Sequence, residues 1–197
     1  ECHKNTYILY FMFIQTEPTP NPLTLKFLPG RVVMKEGTLF LKDISDADNI
    51  PFAKKLFGID GVNGVFFGND FITITKLEGI DWDTLKPQLL GSISEFFESG
   101  EEINLTPQDN EKQNISEADS SNIVKQIKEL LDTRVRPAVA MDGGDIVYDS
   151  FKEGVVYLHM QGSCAGCPSS TATLKSGIEN MLKHYIPEVK EVRETNA

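Results

Sequence analysis

The stretch 142-DGGDIVYDSFKEGVVYLHMQGSCAGCPSST-171 decides the fold. Gly143 and Gly144 supply a turn, Ile146 to Phe151 and Val155 to Gln161 read as strands, and Glu153-Gly154 joins them as a hairpin. The chain then bends through Gly162 and Gly166. Pro168, with its fixed φ and missing N–H, suits the first turn of a helix. That helix carries Leu174, Ile178, Met181, Leu182 and Tyr185 at helical spacing and stops at Pro187, and Val189 to Val192 follows as an edge strand. Upstream, Ile123, Val124, Ile127, Leu130, Leu131 and Val135 line one face of a helix capped by Ser120 or Ser121 and ended by Pro137. Residues 120–197 therefore read helix, strand, strand, helix, strand.

Before this unit, residues 100–119 read GEEINLTPQDNEKQNISEAD. So few apolar side chains cannot bury enough surface to offset the entropy of ordering, which predicts a solvated acidic linker. Residues 12–99 form a second unit. Thr24 to Leu28 alternates with period two and ends at Pro29-Gly30; Gly37 to Leu41 is a further short strand. Ile50 to Phe57 reads as a short helix capped by Asn49 or Asp48, with Pro51 in its first turn. Val62 to Phe67 and Phe71 to Thr75 flank Gly68-Asn69-Asp70 as a hairpin. Trp82, Leu85, Leu89, Ile93, Phe96 and Phe97 then mark an amphipathic helix, with Trp82 at its core or rim and Pro87 blurring its start. The predicted class is α+β, two small domains joined by an acidic linker. Residues 1–11 precede Met12 and read as an extension of doubtful relevance.

Composition bounds the function. The 197 residues carry 19 Lys+Arg against 29 Asp+Glu, a net charge of -10, nearly all of it before residue 120. Nucleic acids and anionic membranes are held by basic side chains, so neither is expected as a partner. The apolar run Tyr7 to Ile14 is far shorter than the roughly 20 residues a membrane helix needs. Neither a phosphate-cradling G-x-x-x-x-G-K nor a dinucleotide fingerprint is present, and no carboxylate pair is placed for hydrolytic acid–base work. An enzyme is not expected.

The chemistry concentrates at Cys164 and Cys167, three positions apart in a glycine turn that opens a helix. There the unpaired N–H groups and the helix dipole favour thiolates. Three uses compete. A thioredoxin-like dithiol acting on protein disulfides would want a strand–helix–strand lead-in and a preceding aromatic residue, which this chain lacks. Structural zinc wants four ligands; His159 and His184 are candidates, but one alternates along a strand and the other lies on a helix face. A 4Fe-4S cluster wants four thiolates, which two copies of the pair supply around a twofold axis, with a 2Fe-2S cluster as a smaller form. Asp142 and Asp145 on their glycine turn read as turn chemistry in preference to a cation site.

Three blocks carry a resemblance over residues 120–197: Ile123 to Arg136 before Pro137, Met141-Asp-Gly-Gly-Asp-Ile146, and Gly162-Ser-Cys-Ala-Gly-Cys-Pro-Ser-Ser-Thr171. Together they resemble the C-terminal domain of the iron–sulfur scaffold NifU. Phe13-Ile-Gln-Thr-Glu-Pro-Thr-Pro-Asn-Pro22, Leu25 to Gly30 and Val65 to Phe71 resemble the N-terminal domain of Nfu proteins. The resemblance implies a homodimer that holds one 4Fe-4S cluster on Cys164 and Cys167 of each chain. It implies receipt of that cluster from upstream assembly proteins and delivery to client apo-proteins, with the N-terminal domain as a docking platform. It also suggests that the Asp142–Asp145 loop packs near the cysteine loop. Close cysteines kept reduced fit the bacterial cytoplasm, with the mitochondrial matrix as the alternative.

Overall fold

The computed structural model describes residues 13–103, 122–166 and 168–195. Residues 1–11, the Ser120/Ser121 cap, most of the predicted linker and Cys167 lie outside the described residues. The first unit runs β1 (Gln15–Pro18), β2 (Thr24–Leu28), β3 (Leu39–Leu41), α1 (Pro51–Phe57), β4 (Val62–Phe67), β5 (Ile72–Lys76) and α2 (Trp82–Glu98). Its sheet has the order β1-β2-β5-β4-β3, antiparallel throughout. The alternation read from the sequence does the packing: Phe27, Val65, Phe67, Ile72 and Ile74 turn to one face and are buried with Leu56, Leu89 and Ile93 of α1 and α2. Phe52 and Phe96 stack at 3.8 Å between ring centroids and 9° between planes, tying α1 to α2.

Two expectations for this unit need correction. Helix α1 is preceded by Ile50, which makes no side-chain cap; Asp48 instead pairs with Lys54 at 2.9 Å. Strand β1 and a short 3-10 turn at Ile44–Ala47, closed by reciprocal bonds of Asp43 and Asp46, were not predicted. Pro87 lies well inside α2, which starts at Asp81 as its side-chain cap. Trp82 is half-buried at the rim, its indole N–H donating to the Pro22 carbonyl at 3.3 Å.

The second unit runs α3 (Asn122–Leu130), a π-turn (Leu131–Val135), α4 (Arg136–Met141), β6 (Gly144–Lys152), β7 (Val155–Gly162), α5 (Pro168–Tyr185) and β8 (Glu191–Glu194). The sheet order is β6-β7-β8, with β7 antiparallel to β6 and parallel to β8. Pro137 does not end the first helix. The Arg136 amide reaches back five residues to the Leu131 carbonyl, widening the coil where the ring would meet the Thr133 carbonyl, and the helix continues to Met141. The last strand is displaced two residues, because the Lys190 and Glu191 amides both donate to the Gly154 carbonyl before pairing with β7 begins. No helix among the described residues is long and apolar enough to cross a membrane.

Candidate functional site

The cysteine loop leaves the carboxyl end of β7 and enters the amino end of α5. Two successive tight turns shape it: the Cys164 amide donates to the Gln161 carbonyl at 3.3 Å and the Ala165 amide to the Gly162 carbonyl at 3.2 Å. Thr171, on the first turns of α5, donates its hydroxyl to the Cys164 carbonyl at 3.0 Å and locks loop to helix. Gly162 has a φ of 62°, and a β-carbon there would stand 2.7 Å from the Gly143 carbonyl oxygen. Only glycine combines that dihedral with that approach.

The second glycine turn packs directly against the first. Ser163 donates its amide to the Gly143 carbonyl at 3.2 Å and its hydroxyl to the Asp142 carbonyl at 2.6 Å. The family pattern suggested this proximity, and the hydrogen bonds now give it a geometry. Asp145, 3% exposed, accepts from Arg136 Nε and Nη2, both at 2.9 Å, and from its neighbour's amide, that of Ile146. Its oxygens are therefore engaged by a bidentate guanidinium. That bond is also the first cause of the raised pKa of Arg136.

Cys164 is 5% exposed and belongs to the core of the second unit. Burial pushes its thiol up to about 12; the Ser163 hydrogen bond pulls the other way, and the carboxylates of Asp142 and Asp145 add to the rise. The sequence predicted a thiolate here. In this form desolvation outweighs the Ser163 hydrogen bond and favours the neutral thiol at Cys164. His159 contacts the Thr195 hydroxyl at 2.8 Å and Asp149 at 3.4 Å, while the His184 ring sits edge-on to Tyr185. Among the described residues, no three of His, Cys, Asp and Glu gather as a metal nest.

Side chains of the first unit also reach the site. Strand register places Glu17, Lys26, Thr73, Phe66 and Phe40 in one row across the sheet, on the face away from its own helices. Lys26 donates to the Ala140 and Met141 carbonyls at 3.3 and 2.9 Å, at the C-terminus of α4 where a cation is favoured. Thr73 donates to the Gly143 carbonyl at 2.7 Å, Thr38 to Asp145 at 2.8 Å, and Asn21 to the Ala165 carbonyl at 3.0 Å. Sequence reasoning singled out none of these four as functional. Period-two alternation assigns Lys26 and Thr73 to a polar face, and only the second unit reveals that the face is covered.

Residues 127–193 match the family described as NifU-like domain, and residues 14–100 match that described as Scaffold protein Nfu/NifU N terminal. The chain is 51% identical over 187 residues to "NifU-like protein 4, mitochondrial" of Arabidopsis thaliana, covering 93% of this chain and 66% of that protein. It is 48% identical over 185 residues to "NFU1 iron-sulfur cluster scaffold homolog, mitochondrial" of Homo sapiens, covering 93% of this chain and 72% of that one. The chain thus spans only about two thirds of the length of these relatives. A solution NMR structure of a NifU-like protein from Saccharomyces cerevisiae is similar at 24% identity and a TM-score of 0.45, over 52% of this chain and 92% of its own. Matched in both units, and sharing about half its residues with such relatives, the chain belongs to the Nfu/NifU-like family.

Proposed function

We propose that the protein is an iron–sulfur cluster scaffold and carrier, holding a 4Fe-4S cluster as cargo between two copies of the chain and passing it to apo-proteins. The observation that carries this reading is the likeness to the human iron–sulfur cluster scaffold homolog, 48% identical over 93% of this chain. Cys164 lies in the corner between a strand and a helix, with glycines on both sides of its loop. Cys164 and Cys167 of each chain give four sulfurs to one cluster, each thiol releasing its proton as it takes iron. Client cysteines then replace them one by one, so the protein moves a prebuilt group and catalyses no reaction of its own. The cluster comes from upstream assembly proteins. The relatives named here are mitochondrial, so we place the protein in the mitochondrion; the bacterial cytoplasm favoured by the sequence draws no support from them.

Oxygen-free reconstitution with iron and sulfide tests the reading. A carrier turns brown, holds about four irons per dimer and doubles its mass. A colourless monomer that reduces a disulfide substrate would favour the thioredoxin-like alternative. A smaller 2Fe-2S cargo would show as half the iron with the same dimer.

A further inference from the structure

Cys164 is 5% exposed with both units in place, so in this closed form its thiol is out of reach of a second chain. What keeps the cysteine loop in place is partly the first unit. Every hydrogen bond that Asn21, Thr73 and Lys26 send across goes to a backbone carbonyl of the cysteine loop, the glycine turn or the end of α4. Phe66, fully buried on the same row, lies against Gly162, where an added β-carbon would come within 3.0 Å of its ring. A β-carbon on Gly162 would meet that ring and, closer still at 2.7 Å, the Gly143 carbonyl of its own unit. Asn21 and Thr73 are each 1% exposed. The sheet face thus receives the loop by its backbone, with Gly162 against the Phe66 ring and the Ala165 carbonyl on Asn21.

We propose that this face is a receptor for the cysteine loop of the same chain: it holds the cargo-free protein closed, and it lets go before the thiols take up a cluster. The second clause rests on the function proposed above; the first does not. The hydrogen bonds named across it are each of modest net worth, because release returns both partners to water, and this suits a closure that reverses. Asn21 acts here as a positioning residue, because it touches the loop's backbone and not the cargo.

The test uses two variants of the full chain. Asn21→Asp keeps the oxygen that accepts the Leu23 amide, and so the turn, but puts an oxygen where the donor to Ala165 stood. Thr73→Val removes the donor to Gly143 at nearly constant shape. The rate at which iodoacetamide modifies Cys164 in the cargo-free protein is read by site-resolved mass spectrometry, and the rate of iron and sulfide uptake is followed in parallel. Both variants are expected to modify Cys164 about tenfold faster, as loss of one buried hydrogen bond allows, and to load faster. Unchanged modification in both variants overturns the proposal. Faster modification with no gain in loading rate overturns the release step. If neither variant nor parent ever takes up iron and sulfide, while the difference in modification persists, the closed form stands and the cluster reading falls. Two variants on different segments keep the test alive should one fail to fold.

Discussion

Cys164 Sγ lies 2.5 Å from where a β-carbon on Gly144 would stand. The first residue of β6 is therefore part of the thiol's own pocket. The same added carbon would meet the Gln161 carbonyl at 2.7 Å and the Cys164 amide at 3.0 Å, both fixed by hydrogen bonds. Gly144→Ala is expected to lower the stability of the second unit by about 1–3 kcal/mol, the range for overfilling a packed site. Denaturant unfolding checks this, and an unshifted midpoint contradicts the geometry.

Arg136 and Asp145 form an asymmetric pair, the guanidinium side chain 39% exposed and the carboxylate 4%. Removing the arginine strands a buried charge, whereas removing the carboxylate frees a cation that water and Asp132, at 3.1 Å, still satisfy. Arg136→Ala is expected to cost about 2 kcal/mol, below the range for a fully buried pair because one partner is solvated. Asp145→Asn should cost distinctly less. Equal losses in urea titrations would show that the asymmetry of burial has no energetic weight.

Glu179 clamps α5 to β8 by accepting the Val192 amide at 3.0 Å. The Lys183 hydrogen bond, and then that amide, hold its pKa below the ordinary carboxylate value. A lowered folded pKa means the clamp contributes fully above the unfolded value of about 4.3 and is lost as pH falls through the folded one. The Val192 amide resonance, followed by NMR during acid titration, should move with a midpoint below 4.3. Glu179→Gln should flatten that curve.

A neutral, buried thiol is a poor nucleophile. With the Cys164 thiol pushed up to about 12, chiefly by burial, the cargo-free chain is expected to reduce a protein disulfide at pH 7 no faster than its Cys164→Ser variant does. Turnover clearly above that variant's would revive the dithiol oxidoreductase alternative.

Much of the fold was legible because its signals are local. The β4–β5 and β6–β7 hairpins announce themselves by alternation around short glycine turns, and α2 by apolar spacing. Strand β1 was silent because Gln15, Thr16, Glu17 and Pro18 sit at a sheet edge, mostly exposed, where no alternation is imposed. The helix past Pro137 depends on a π-turn that propensity does not encode. At the site, the strand–loop–helix corner around Cys164 was readable from glycine and proline positions. The thiol's protonation was not, since a helix dipole is a local property and desolvation comes from residues far along the chain. Asn21 donates to a carbonyl 144 positions away, a distance over which no sequence period reaches.

The flanking strands of the five-stranded sheet are its shortest, three residues in β3 and four in β1, which closes on Pro18. Such blunt margins offer almost no free ladder on which another polypeptide could crystallise into fibrils. If the units separate as proposed, Phe66 would be bared beside margins that give a second chain little to pair with.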